Sequence, residues 1–136
     1  MDVKPGSCPN SFDTTNAGLL PIALVGLANF DVHQVDTSSL RLWRDDCVGG
    51  SVAPLADQMV YEDAARPFYG TLCDCQTQTR DRILDLSLKF DSMAVANALQ
   101  LGSAAPNANI TLALTGRLQD GTEFVARDCI RIAPRR

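Results

Sequence analysis

The chain carries a single histidine, His33, among its 136 residues, and that scarcity excludes much metal and hydrolase chemistry. A multi-histidine metal site cannot be assembled. Any Ser-His-Asp arrangement would depend on His33 alone, which reads as a solvated loop residue. There is no G-x-S-x-G elbow. Gly49-Gly50-Ser51 is not followed by lysine, so it reads as a turn and not as a phosphate-binding loop. Basic residues are in the minority, 12 against 16 acidic, for a net charge of −4. They are scattered apart from Arg135-Arg136 at the end, which argues against the basic footprint of a nucleic-acid binder. Long hydrophobic runs are missing as well. The longest, residues 19–27, contains Pro21 and Gly26 and is too short to span a membrane. Residues 1–6 lack the basic-then-apolar opening of a signal peptide. A secreted form is therefore expected to be trimmed, or to be a module of a longer chain. Pro134-Arg135-Arg136 reads equally as the start of a linker or as a true terminus.

What is present suits one globular domain over residues 1–136. Hydrophobic residues make up 46% of the chain, enough for a buried core at this length. Five cysteines, Cys8, Cys47, Cys73, Cys75 and Cys129, are spread along it without zinc-type spacing. Cys73 and Cys75 are too close in sequence to pair comfortably with each other. Cys8 and Cys129 are expected each to pair with one of them, in an order left open, with Cys47 as the leftover thiol. Disulfides place the protein in an oxidising compartment; the competing possibility is five reduced thiols buried in a cytosolic core.

Periodicity predicts mostly strands. Residues 1–17 read as irregular, 19–27 as a buried strand, and Leu40-Arg41-Leu42-Trp43 as an alternating strand. A short strand falls at 59–63, and a long loop then carries Cys73 and Cys75. Leu84, Leu86, Leu88 and Phe90 alternate with Asp85, Ser87 and Lys89, the pattern of a half-buried strand. One short helix follows, with Asp91 or Ser92 as N-cap, Val95 and Leu99 on one face, and Gly102 at the C-terminal cap. Ile110, Leu112 and Leu114 mark another strand. Asp120-Gly121 marks a hairpin turn into the strand 123–132. The fold class expected is mainly β, an antiparallel Greek-key-like sandwich with one short helix.

Glu62, Asp63, Asp74, Asp81 and Asp85 crowd the cysteine loop. Oxygen-rich clusters suit a hard cation such as calcium. The alternative is a set of surface ion pairs with Arg66, Arg80 and Arg82, which would contribute little stability. A carboxylate-pair hydrolase is the third possibility. Cys47 beside Asp45 and Asp46 would have its thiolate disfavoured, which counts against a nucleophile. Aromatic residues are only 6% of the chain, so Trp43 is expected in the core. Phe68 and Tyr69, in the loop, are the better candidates for a ligand surface.

Segments in order along the chain resemble a β-module of secreted bacterial proteins for which no activity is established. They are Val3-Lys4-Pro5-Gly6-Ser7-Cys8-Pro9-Asn10, Gly18-Leu19-Leu20-Pro21-Ile22, Phe30-Asp31-Val32, Glu62-Asp63-Ala64-Ala65-Arg66-Pro67-Phe68, Cys73-Asp74-Cys75, Asp85-Leu86-Ser87-Leu88-Lys89-Phe90 and Asp128-Cys129-Ile130-Arg131-Ile132. Shorter relatives replace the cysteine loop with a turn of the type EDVNGDGxxDL, which looks like a calcium loop. The resemblance puts Asp63, Asp81 and Asp85 on its acidic positions. Arg80 and Arg82 stand where that turn has glycine, and they would compete for the carboxylates. Cys47 has no counterpart in the pattern. The function expected is a non-catalytic extracellular accessory or adhesion module that binds a protein or glycan partner. The alternative is a surface-layer or fibre subunit assembling through strand edges or a donated N-terminal strand.

Overall fold

A computed structural model describes residues 1–134; Arg135 and Arg136 lie outside it. Among the described residues nine strands form two sheets: β1 (Asp2–Val3), β2 (Ser11–Phe12), β3 (Leu19–Leu24), β4 (Val35–Arg44), β5 (Ser51–Val52), β6 (Val60–Glu62), β7 (Asp85–Asp91), β8 (Asn109–Leu118) and β9 (Glu123–Ile132). One sheet has the order β1-β3-β7-β6 and the other β2-β9-β8-β4-β5. The fold is a mainly β sandwich with one short helix, α1 (Ser92–Ala98).

Alternation builds the core. Leu40 and Leu42 from β4, Leu86, Leu88 and Phe90 from β7, and Leu112 and Leu114 from β8 are fully buried between the sheets. The same alternation turns Trp43 outward, so the expectation that it is core is wrong. It is 39% exposed, and its Nε1 donates to Thr115 Oγ1 across the strand at 2.9 Å.

Other expectations also need correction. Residues 1–17 are not wholly irregular, because Val3 and Phe12 enter the core and draw β1 and β2 into the two sheets. The pairing is not all antiparallel: β2 runs parallel to β9, Ser11 opposite Arg131. The chain is held there by Asn10, whose carbonyl accepts from Arg131 N and whose Nδ2 donates to the Cys129 carbonyl. Strand β7 is not half-buried. Asp85 and Ser87, on its second face, are buried too, next to a small cluster of Ala23, Val25 and Ala65. Leu84 breaks the expected run: it is exposed, just before β7 begins, with its carbonyl against Gly26. A Cβ at Gly26 would collide with that oxygen.

Asp91 caps α1, accepting from Met93 N and Ala94 N. Gly102 does not end the helix. Leu99 and Leu101 are both fully buried, and the chain turns between them at Gln100, which takes the left-handed conformation with φ 52°. The β8–β9 hairpin turns at Asp120-Gly121 as expected, with Gly121 at φ 89°.

Candidate functional site

The segment between Asp63 and Asp81 is a closed loop with an acidic neck. One carboxylate oxygen from each of Asp63, Asp81 and Asp85 lies within 4.8 Å of the others, a grouping that could hold a metal ion. Backbone amides fix all three. Asp63 accepts from Asp81 N at 3.2 Å and Arg82 N at 2.8 Å. Asp81 accepts from Ile83 N at 3.0 Å. Asp85 Oδ1 accepts from Gly26 N at 2.8 Å, and its Oδ2 from Ala64 N and Ala65 N, both at 2.9 Å. Burial raises the Asp85 carboxyl above its ordinary value, against the pull of those three N–H groups. At Asp63 desolvation also pushes upward, but the N–H groups of Arg82 and Asp81 outweigh it and the carboxyl sits below its ordinary value.

Two of the five expected ligands are elsewhere. Glu62 points from β6 to Ser87, accepting from its hydroxyl at 2.8 Å. Asp74 lies in the loop, exposed, and lines the cleft described below. The expected arginine ion pairs do not form among the described residues. Arg66 instead clasps the neck, donating to the Arg80 carbonyl and to Gln78 Oε1. Arg82 occupies the expected glycine position with φ 69°, a left-handed conformation that disfavours any side chain. Arg82→Gly keeps the N–H to Asp63 and should raise stability by about 0.5–1 kcal/mol, read by urea unfolding.

Two disulfides staple the loop, Cys8–Cys75 and Cys73–Cys129. Cys47 is free and exposed. Each bridge ties the loop to a different part of the sandwich: the segment between β1 and β2, and β9. The loop itself buries only Ala65 among residues 64–84, so the bridges hold it in place of a core.

Between this loop and β9 lies an open cleft of about 610 Å³. Its walls are residues 66–70, 72–76 and 124–128, and Leu24, Val25, Leu27 and Phe30 also line it. Phe68 and Tyr69 are brought to it as the sequence suggests, with Tyr69 91% exposed. The Phe68 ring folds over Gly70, where a Cβ would collide with it. Phe30 packs edge-on to Phe124.

Asp2 and Asp128 also line the cleft, and no sequence motif marks them as site residues. Burial raises both, and it takes Asp2 to about 6, with Asp128 adding to the effect. A carboxyl whose folded pKa exceeds its unfolded value stabilises the fold at low pH and loses that contribution as pH rises. The loss here runs from near 3.8 to about 6. Asp2→Asn should therefore raise stability by about 1–2 kcal/mol above that window, after screening at this partly open site, and change little below it. Urea unfolding at both pH limits checks this. An equal effect at both would contradict it.

His33 stacks on Tyr61 with ring centroids 4.3 Å apart and hydrogen-bonds Asp31 at 2.8 Å. Neither contact supplies a nucleophile. Among the described residues no helix is long and apolar enough to cross a membrane. No family model, curated protein or solved structure matches the chain.

Proposed function

We propose that the chain is a non-catalytic binding module of the extracellular space or cell surface. Its acidic neck holds calcium, and its stapled loop presents Phe68 and Tyr69 to a protein or glycan partner. The observation that carries this reading is the cleft itself, with one wall made by a loop that two disulfides fix to the sandwich. Loops on a rigid scaffold are the usual place for binding. Disulfides favour an oxidising compartment, and the resemblance to a secreted β-module agrees with it. Asp63, Asp81 and Asp85 together offer the hard oxygen ligands calcium prefers. Their carboxylates are engaged by backbone amides, which supports a structural role over a hydrolytic one.

A glycan array and a displayed peptide library, screened in parallel, test the reading. Ligands held by the wild type and lost by the Phe68→Ser, Tyr69→Ser double variant support it. Ligands held equally by both put the binding surface elsewhere.

One observation favours the alternative of self-assembly. Strand β6 is a sheet edge, and Val60 and Tyr61 on it are exposed, a template for pairing with another chain. Donation of the N-terminal strand has less support, because β1 and β2 pair within the chain and Cys8 is bonded to Cys75. A size that grows with concentration in light scattering, abolished by Val60→Lys, would favour assembly through β6.

A further inference from the structure

The charge of the cleft says what kind of partner it takes; this inference rests on the binding reading above. Three carboxylates line it, from Asp2, Asp74 and Asp128. Asp2 Oδ2 is buried and has no hydrogen-bond partner. Among the described residues Asp128 accepts from neutral donors: Val3 N and Cys129 N at 2.8 Å, and Asn10 Nδ2 at 3.3 Å. Asn10 is itself 5% exposed, with an unpartnered buried Oδ1.

Among the described residues, three positive groups stand near these carboxylates. Arg127 lines the cleft, but its Nε is paired with Asp45 at 2.9 Å. Arg66 keeps its charge but is anchored away from Asp2 and Asp128 by the Arg80 carbonyl and Gln78. The Met1 amine lies near Asp2 and Asp128 and offsets part of their charge, while burial lowers its own pKa. The cleft is thus an anionic end beside an apolar wall, where Phe68, Tyr69 and Leu72 are exposed.

That combination matches a long side chain with an apolar stem and a cationic tip. Lysine and arginine stems cover apolar surface while their heads seek charge, and aromatic faces attract the same cations. A neutral glycan would add no positive charge to three carboxylates that the Met1 amine offsets only in part, and an acidic ligand would be repelled.

We propose that the cleft binds a basic peptide segment of a partner protein. A lysine or arginine side chain points to the Asp2–Asp128 end, and flanking apolar residues lie against Phe68, Tyr69 and Leu72.

The test uses three capped pentapeptides with one central residue between leucines: lysine, norleucine or glutamate. Binding is followed by amide chemical shifts of the ¹⁵N-labelled protein under non-reducing conditions. The lysine peptide should shift residues 66–76 and 124–128, with norleucine about tenfold weaker and glutamate silent. Asp74→Asn and Tyr69→Ala, both at exposed positions, should each weaken the lysine peptide without altering the fold. Norleucine or glutamate binding as well as lysine in this cleft would overturn the cationic assignment and leave the binding reading standing. Acetylated lysine methylamide matching the pentapeptide would overturn the peptide assignment in favour of a small amine. Silence from all the probes at millimolar concentration, with a glycan shifting the same residues, would overturn this inference alone. Silence from peptides and glycans alike would overturn both.

Discussion

Asp85→Ala is expected to cost about 3–5 kcal/mol, much of the stability of an ordinary domain. Asp85 is completely buried, and its carboxylate takes the N–H groups of Gly26, Ala64 and Ala65. Those amides come from the end of β3 and from the start of the cysteine loop, so one side chain joins three segments. Alanine would leave three amides facing a void with no acceptor, and an unsatisfied buried amide costs about 1–3 kcal/mol. Asp85→Asn separates the hydrogen-bonding role from the charge. Its remaining oxygen can keep Ala64 and Ala65, but its NH₂ would face the Gly26 N–H. It should lose roughly half as much as alanine. Urea unfolding of both variants measures this. An alanine variant within about 1 kcal/mol of wild type would show that water replaces the carboxylate.

Opening Cys73–Cys129 by Cys73→Ser should cost about 4 kcal/mol, from the greater freedom of the unfolded chain across a separation of 56 residues. Residues 64–84 bury almost nothing apolar, so Cys8–Cys75 would remain as the main tie on the loop. The cleft should open along with the loss of stability. Cys47→Ser is the matched control. Its thiol is free and exposed, so the change should stay within about 0.5 kcal/mol. Unfolding of all three proteins under oxidising conditions distinguishes a specific staple from a general effect of losing a cysteine.

The strands were legible wherever one face alone is buried. Leu40 and Leu42, and Leu112 and Leu114, carry a period of two that propensity and packing both support. The pairing of Cys8 and Cys129 with Cys75 and Cys73 was legible in kind, since two adjacent cysteines need two distant partners. Strand β7 was misread because the loop covers its second face, and nothing local in Asp85 or Ser87 says that they are buried. The first 17 residues were misread because one apolar side chain per short strand, Val3 or Phe12, leaves no periodicity to detect.

The acidic site was half legible. Asp63, Asp81 and Asp85 converge because β6 and β7 are neighbours and the loop returns to its own base. Glu62 and Asp74 share the sequence neighbourhood but face other ways, one to Ser87 and the other to the cleft. Asp2 and Asp128, 126 positions apart in the numbering, meet only through the pairing of β1 with β3 and the return of β9. No spacing rule could have joined them.

Thermal melting in excess calcium and in EDTA, without reductant, tests the central claim that the acidic neck is a metal site organising the stapled loop. A cation that binds only the folded state must raise the midpoint, by about 2.7 kcal/mol of added stability at a hundredfold excess over its dissociation constant. The account predicts a clear rise for the wild type and none for Asp81→Asn, which keeps the Ile83 hydrogen bond but loses the charge. Equal midpoints in calcium and EDTA for the wild type would contradict it.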